Sequence, residues 1–353
     1  MVKLSANIPP LTPYKLIELP PDLLSALEAT DTSNELVIKS SSKSGEAIIC
    51  TADKTFQLRR INQSNTLVLL KPEPASREVN PHLVAFSNIN TLLECVPTRG
   101  VVDLSCVPLY FGPGSLTGEK QPSNKLLISL AELDSNSPAS SLEFDTEFVQ
   151  SFGTEINGIA CLLSRDIVFE FLGLALTTIM ALKLNINAIL VDELYQAIDE
   201  TNEPIQIVET IVKRFSNNQK EPYNLDMDKI TKWYGIYTLM DSDRDLYVQE
   251  FYKRWEANIP VPTGKPLNYF TLKGNYINPE SYLIRYFTKE RLSSDPKARF
   301  AQLFEQKSTW ELSEITPFVE DVMHNKAIKI ESFIMKFARK RTINKKIIVS
   351  ARN

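Results

Sequence analysis

The sequence contains few of the residues on which catalytic and metal sites usually depend. It has two histidines among 353 residues, and its four cysteines lie far apart, at positions 50, 95, 106 and 161. This spacing is typical of reduced thiols in an intracellular protein. The first 14 residues lack the apolar core of a signal peptide, and the longest apolar stretch, 167–184, carries Glu170. We therefore predict a buried helix there and no membrane span.

Two local patterns resemble known binding loops but depart from them at essential positions. The loop GPGSLTGEK has Pro113 where a phosphate-binding loop needs its first glycine, and Glu119 where it needs lysine. The acidic run at 241–245 begins like a calcium loop. It has Leu246 in place of the invariant glycine and Tyr252 in place of the final glutamate. A flexible linker and a solvated turn are the simpler interpretations.

The remaining candidate residues also favour structural roles. Neither His82 nor His324 lies near cysteines or carboxylates at ligand spacing, and neither has the partners of a nucleophilic triad. Trp233, Tyr234 and Trp255 fall on amphipathic segments, which indicates core packing more than base stacking. We predict a non-catalytic chain with no metal and no cofactor. An enzyme with a carboxylate acid–base pair is the alternative, because such a pair leaves no motif.

The first part of the chain is predicted to be rich in β-structure. Short apolar runs bounded by turn-forming residues predict strands at 14–19, 36–39, 46–50, 55–60, 66–70, 83–86, 92–96 and 101–104. One helix interrupts them, with Asp22 as its cap and Leu23, Leu24 and Leu27 as its apolar face. A segment of this kind, residues 1–111, would leave open sheet edges that a partner could pair with.

The rest of the chain changes to helical periodicity after a predicted linker at 112–145, which encloses one element at 125–133. Helices are predicted at 166–184, 191–198, 205–215, 226–240, 245–257, 281–288, 296–306, 313–323 and 330–341, with a last strand at 346–351. Helices followed by a strand are typical of winged-helix modules. We therefore predict an α+β protein with three tandem winged helices, at 146–225, 226–292 and 293–353.

Charge is distributed very unevenly along the chain. Residues 326–353 contain nine basic residues and one acid, Glu331, which gives +8, while the residues before them carry −12. Apolar residues are interleaved with these charges, with Ile330, Phe333 and Phe337 on the inner face of the predicted recognition helix. The pattern favours contact with nucleic acid through phosphates. An acidic protein surface, or solubility alone, are the alternatives.

Several long strings resemble the fungal members of the Dcc family of cohesion proteins. In the N-terminal part they are YKLIELPPDLLSALE (14–28), EAIICTADKTFQLRR (46–60) and SNTLVLL (64–70). In the C-terminal part they are KWYG (232–235), PKARFAQLF (296–304), WELSEITP (310–317) and ESFIMKFAR (331–339). The resemblance covers nearly the whole chain and includes no generic catalytic motif.

The resemblance implies a nuclear, non-catalytic subunit of the Ctf-type alternative replication factor C clamp loader. It implies that the β-rich segment forms a joint barrel with the small Ctf subunit and the C-terminal tail of the large Ctf ATPase subunit. The family's complex binds the catalytic part of DNA polymerase epsilon, loads or unloads the sliding clamp PCNA and supports sister chromatid cohesion. This chain would therefore contact PCNA only indirectly, and other subunits would hydrolyse ATP.

The resemblance also implies which residues contact DNA, single- or double-stranded. Lys336 and Arg339 in the predicted recognition helix and Arg352 at the end of the wing match basic positions of the family's last winged helix. Four more residues extend this patch: Lys340, Arg341, Lys345 and Lys346. The sequence leaves open whether the basic face binds DNA or an acidic partner of a purely structural scaffold.

Overall fold

A computed structural model describes residues 4–6, 14–28, 36–40, 45–72, 83–116, 125–198, 202–323, 329–343 and 345–352. His82 and His324 lie outside these residues. The chain divides into two compact units. The first comprises Met1–Ile167 with Asn202–Thr210, and the second comprises Val168–Thr201 with Ile211–Asn353. Both helices and sheets are present, so the predicted α+β class is confirmed.

The first unit contains a six-stranded sheet with the order β1-β6-β5-β4-β3, in which β2 also pairs with β6. Its elements are β1 (Leu4–Ala6), β2 (Leu16–Glu18), α1 (Pro21–Glu28), β3 (Val37–Ser40), β4 (Ala47–Cys50), β5 (Thr55–Pro72) and β6 (Leu83–Thr98). The runs predicted at 55–60 and 66–70 are one strand, as are those at 83–86 and 92–96, because β5 and β6 pair along almost their whole length. Within the described residues the sheet does not close on itself.

Helix α1 buries less of its predicted apolar face than its sequence indicated. Leu23 is fully buried, but Leu24 and Leu27 are 45% and 52% exposed. Asp22 is not the cap of the helix. It lies within the first turn, and its carboxylate accepts a hydrogen bond of 2.7 Å from the Lys54 ammonium. The exposed leucines therefore remain available for another surface.

The segment predicted as a linker contains regular structure that packs into the first unit. After β7 (Leu109–Tyr110) come α2 (Leu130–Asn136), α3 (Ser141–Gln150), β8 (Gly153–Ile156) and β9 (Ile159–Leu163). The three strands form a small sheet with the order β7-β9-β8, and Leu133 and Phe144 are buried in one core. The predicted strand at 101–104 is absent. Instead the Val101 N–H donates to the carbonyl of Pro138. The predicted domain limits themselves stay predictions.

A buried lysine joins the six-stranded sheet to the pair α2 and α3. Lys39 in β3 is 8% exposed, and its ammonium donates to the Asp134 carbonyl at 2.8 Å, the Asp134 carboxylate at 2.9 Å and the Ala139 carbonyl at 2.9 Å. All three of its protons therefore have partners, as a buried ammonium requires. Lys39 is therefore one of the polar contacts that hold the sheet to the helix pair.

A second polar contact to α3 makes the stability of the first unit sensitive to pH. Burial raises the pKa of the Glu143 carboxyl, but hydrogen bonds from the Gly100 N–H, the Thr55 hydroxyl and Ser140 outweigh it, so the pKa is lowered. A carboxyl with a lowered folded-state pKa stabilises the fold above its usual titration range, and this contribution is lost as the pH falls.

We therefore expect Glu143→Gln to lower the free energy of unfolding most at neutral pH, where the wild-type carboxylate is charged. The difference between the two proteins should shrink as the pH falls through the range in which Glu143 is protonated. Urea unfolding of both proteins over a pH series measures this. A difference that stays constant with pH would contradict it.

The second unit begins with helices and a small sheet. Helix α4 (Arg165–Ala181) starts in the first unit and continues here, and α6 (Ile205–Phe215) also crosses the division. The other elements are α5 (Val191–Ala197), α7 (Met227–Met240), β10 (Leu246–Tyr247), α8 (Val248–Asn258), the 3-10 helix Tyr269–Leu272, β11 (Tyr276–Ile277) and β12 (Leu283–Tyr286). The strand order is β10-β12-β11. The helix predicted at 281–288 is wrong, because Leu283–Tyr286 pairs with strands on both sides.

The C-terminal module repeats this arrangement. It consists of α9 (Pro296–Gln306), β13 (Thr309–Glu311), α10 (Leu312–Ile315), the 3-10 helices Thr316–Phe318 and Glu320–Val322, α11 (Ile330–Phe337), β14 (Ala338–Ile343) and β15 (Lys346–Ala351). Its sheet has the order β13-β15-β14. In both modules the third strand therefore lies between the first and the second.

Two predicted helices of the C-terminal module are wrong in extent. The helix predicted at 313–323 ends after one turn, because Pro317 removes a backbone donor and 3-10 turns follow. The recognition helix predicted at 330–341 ends at Phe337, and Arg339, Lys340 and Arg341 lie on strand β14. Six residue pairs between β14 and β15 form in this segment, and pairing of this kind overrides helix propensity.

Candidate nucleic-acid interface

The basic residues of the C-terminal module are held on a small aromatic core. Phe333 and Ile334 of α11 are buried with Trp310, Phe300 and Val349. The Phe300 ring is stacked on Phe337 with centroids 5.1 Å apart. Because one face of α11 is fixed in this way, Lys336 lies on its exposed side.

The hairpin of β14 and β15 separates the predicted contact residues onto two faces. In an antiparallel pair, residues directly opposite point to the same side of the sheet. Lys340 lies opposite Val349, which is buried, so Lys340 is on the inner side next to α11. Arg339 and Arg341 have the opposite orientation and lie opposite Ser350 and Ile348.

We call the opposite surface the outer sheet face. Its members are the outward residues of the three strands: Arg339, Arg341, Ile343, Lys346, Ile348, Ser350, Thr309 and Glu311. Arg339, Arg341 and Lys346 are exposed on it. Lys345 adjoins this face in the turn between the strands, where its φ of 64° is left-handed.

Two of the predicted contact residues are held in ion pairs. The Lys340 ammonium lies 2.8 Å from the carboxylate of Glu331, and that of Lys346 lies 2.9 Å from the carboxylate of Glu311. The hydrogen bond to Glu311 raises the pKa of Lys346 and lowers that of the acid. A phosphate would have to compete with these carboxylates, so both lysines are weaker candidates for DNA contact than sequence indicated.

Arg352 has a structural contact that the sequence did not indicate. Its guanidinium donates through Nε to the Ala338 carbonyl at 3.3 Å and through Nη2 to the Met335 carbonyl. These carbonyls belong to the end of α11, where a cation is favourable. Arg352 therefore holds the end of β15 to the helix.

Four predicted contact residues are left for a ligand. Across the described residues, no carboxylate forms an ion pair with any of them: Lys336, Arg339, Arg341 and Lys345. All four are exposed. Two of them lie on the outer sheet face, one beside it in the turn and one on α11. The structure thus brings Arg339 and Arg341 together on one face with the paired Lys346.

The sequence did not indicate which carboxylates form ion pairs with some of these cations. Glu311 is 35 residues from Lys346 in the chain and meets it only because β13 pairs with β15. Sequence reasoning also missed Arg299, which is 4% exposed and donates to the Phe318 carbonyl at 3.0 Å and to Asp321 at 2.6 Å. No sequence signal distinguishes this buried arginine from the exposed ones.

The other candidate sites do not assemble into binding sites. Trp255 and Tyr234 are fully buried, which confirms the core interpretation for both. Asp245 of the acidic run pairs with Arg285, which lowers its pKa. In the described ranges, no three side chains among His, Cys, Asp and Glu come together as a metal site requires. Nor does any helix there have the length and hydropathy to cross a lipid bilayer.

Comparison with known proteins agrees with the resemblance to the Dcc family. The family profile described as "Sister chromatid cohesion protein Dcc1" matches residues 14–319. Sister chromatid cohesion protein DCC1 of Saccharomyces cerevisiae is 30% identical over 367 residues, which cover 96% of each chain. A probable DCC1 of Dictyostelium discoideum is 26% identical, with 94% of this chain and 91% of that protein covered. DCC1 of Homo sapiens is 23% identical, with 89% and 82% covered.

Proposed function

Because the chain belongs to the family of sister chromatid cohesion protein Dcc1, we propose that it is a non-catalytic subunit of the Ctf-type alternative clamp loader. In this proposal the protein acts in the nucleus and binds DNA through its C-terminal module. It helps to connect PCNA loading with DNA polymerase epsilon and with cohesion. Its contact with PCNA is indirect.

We propose that the helical part of the chain consists of winged-helix modules. The middle module, α7 to β12, has the order helix, strand, helix, 3-10 helix and hairpin. The C-terminal module, α9 to β15, has the order helix, strand, helix, two 3-10 helices, helix and hairpin. In both modules the third strand lies between the first and the second. This order is typical of winged helices. Two isolated β-bridges follow α4 and α6: Ile189 pairs with Tyr223, and Ser216 pairs with Leu225. Their positions relative to the helices are similar to those of the strands in the other two modules. They support a first module of the same kind.

The observation that carries the DNA-binding proposal is the pair Arg339 and Arg341 on the outer sheet face, with Lys345 beside them. These guanidinium and ammonium groups are exposed, and no acid in the described residues neutralises them. Arginine is well suited to phosphate because its planar donors match the oxygens. Contacts of this kind give affinity with little sequence preference.

The N-terminal sheet supports the scaffold part of the proposal. Ile38 on strand β3, at one end of the sheet, is 70% exposed, and Leu24 and Leu27 of α1 are exposed as well. Open strands with exposed apolar side chains are managed by pairing with a partner. The small Ctf subunit and the C-terminal tail of the large Ctf subunit are the partners that we propose.

We expect the double variant Arg339→Ala with Arg341→Ala to weaken duplex DNA binding about tenfold at moderate salt, since neither alanine can bind a phosphate. The matched control is Lys340→Ala with Lys346→Ala, which removes the same charge from ion-paired positions. Its effect on affinity should be clearly smaller. Fluorescence anisotropy with labelled duplex, together with circular dichroism to verify folding, measures both.

An equal decrease of affinity in both variants would contradict the assignment to the outer sheet face, and no decrease in either would contradict DNA binding by this module. The alternative function is a protein scaffold whose basic face binds an acidic partner, which the same charge supports. In that case the chain would bind duplex only weakly.

A further inference from the structure

An exposed aromatic side chain of the middle module lies four residues before Gly274, which packs on the C-terminal module. Phe270, in the 3-10 helix Tyr269–Leu272, is 56% exposed. The Tyr269 ring is stacked against it, with centroids 4.4 Å apart and an interplanar angle of 29°. Tyr269 in turn packs edge-on against Tyr276 at 5.3 Å and Tyr252 at 6.0 Å. The Phe270 ring is therefore supported on one side by fixed aromatic rings while much of it remains in solvent.

Lys273 connects this ring to the outer sheet face. Its ammonium lies 5.8 Å from the centroid of Phe270. The next residue, Gly274, is packed so closely on the C-terminal module that an added Cβ would lie 3.2 Å from Pro317 Cβ. The pKa of Glu311 is lowered by Lys346 and also by the charge of Lys273. Lys273 thus lies near Glu311 on strand β13, at the opposite edge of the sheet from β14, which carries Arg339 and Arg341.

We propose that Phe270 and Lys273 form a stacking site for an unpaired base of single-stranded DNA whose phosphates lie on the outer sheet face. The site rests on the proposed DNA binding and extends it to the middle module. Aromatic rings stack on unpaired bases of any sequence, and a nearby cation holds the backbone. Bases within a duplex are already stacked on one another, so they gain little from Phe270. The ligand is therefore DNA with a single-stranded segment.

A second pair of exposed aromatic residues in the same module provides a control. Tyr247 and Tyr282 are 59% and 51% exposed and stack with centroids 6.0 Å apart. The Tyr282 hydroxyl is hydrogen-bonded to Glu280, which raises the pKa of the tyrosine. Within the described residues no lysine or arginine lies over either ring, whereas Lys273 lies over Phe270. We therefore expect no DNA contact there.

The test uses the full chain and fluorescence anisotropy with one labelled strand, alone and annealed to its complement. Phe270→Ala should weaken single-strand binding about tenfold, which corresponds to removing the stacking of one base on an aromatic ring. Duplex binding should change less than about twofold, since paired bases do not reach the ring. Phe270→Trp should retain the single-strand affinity, Phe270→Leu should not, and Tyr282→Ala should leave both affinities unchanged.

An unchanged single-strand affinity in Phe270→Ala, or an equal decrease on strand and duplex, would overturn the stacking site. So would full affinity in Phe270→Leu, because it would indicate an apolar contact without stacking. The proposed function fails separately. If Arg339→Ala with Arg341→Ala changes neither affinity, while Phe270→Ala weakens strand binding, a base stacks on Phe270 but the phosphates do not lie on the outer sheet face, and DNA binding by the C-terminal module is overturned.

Discussion

Replacing Trp310 with alanine is expected to unfold the C-terminal module and to abolish its DNA binding without removing any charge. Trp310 is 1% exposed, its indole Nε1 donates to the Leu303 carbonyl at 3.2 Å, and its ring packs against Phe318 at 5.8 Å. It lies opposite Val349, so it joins the helical core to the hairpin that carries Arg339. The expected cost is about 4 kcal/mol of unfolding free energy, as for large-to-small changes at buried tryptophans.

Chemical denaturation and DNA anisotropy of the same samples measure this effect. Met335→Ala is the matched control, because Met335 is exposed on α11, and its stability should change little. Phe287 of the middle module packs against Phe318 at 5.4 Å, so the two modules share a core and should lose stability together. Wild-type stability and full DNA binding in Trp310→Ala would show that the hairpin does not depend on this core.

Replacing Asp134 with alanine is expected to destabilise the first unit by about 3 kcal/mol, because it leaves the buried Lys39 ammonium without its counter-charge. The two carbonyl partners of Lys39 remain, but neither carries a full charge. The contact between β3 and α2 should loosen, since Lys39 supplies it. Denaturation gives the free energy, and limited proteolysis between α2 and α3 reports the local opening.

The double variant Lys39→Met with Asp134→Leu separates the two possible causes of that destabilisation. A buried ion pair replaced as a whole by apolar side chains often costs little. We therefore expect the double variant to regain most of the stability that Asp134→Ala loses. If both variants were equally unstable, the shape of the site, and not the unpaired charge, would be the cause.

The periodicity of apolar residues predicted correctly those elements whose local sequence preference agrees with their tertiary packing. The helices at 205–215 and 296–306 and the strand at 346–351 have the predicted bounds. The end of the recognition helix was wrong because pairing with β15 decides the conformation of Arg339–Arg341, and a partner strand is not visible in a local pattern. In contrast, Pro317 was visible in the sequence and should have ended the helix predicted at 313–323.

The candidate site was predictable as a region but not as a set of contacts. The charge of residues 326–353 located the basic module. Which cations are free depends on the register of the sheet, which brings Glu311 to Lys346, and on the fold of α11, which brings Glu331 to Lys340. Phe270 was missed because nothing in the local sequence indicates that its ring is exposed beside Lys273.

The most direct test of the central claim is the salt dependence of duplex binding by the full chain and by Arg339→Ala with Arg341→Ala. We predict that the logarithm of the association constant falls linearly with the logarithm of salt concentration in the wild type. The slope of the variant should be smaller by about two, because each of the two arginines neutralises one phosphate. A slope that is the same in both proteins would contradict the claim that the outer sheet face of the C-terminal module holds the DNA backbone.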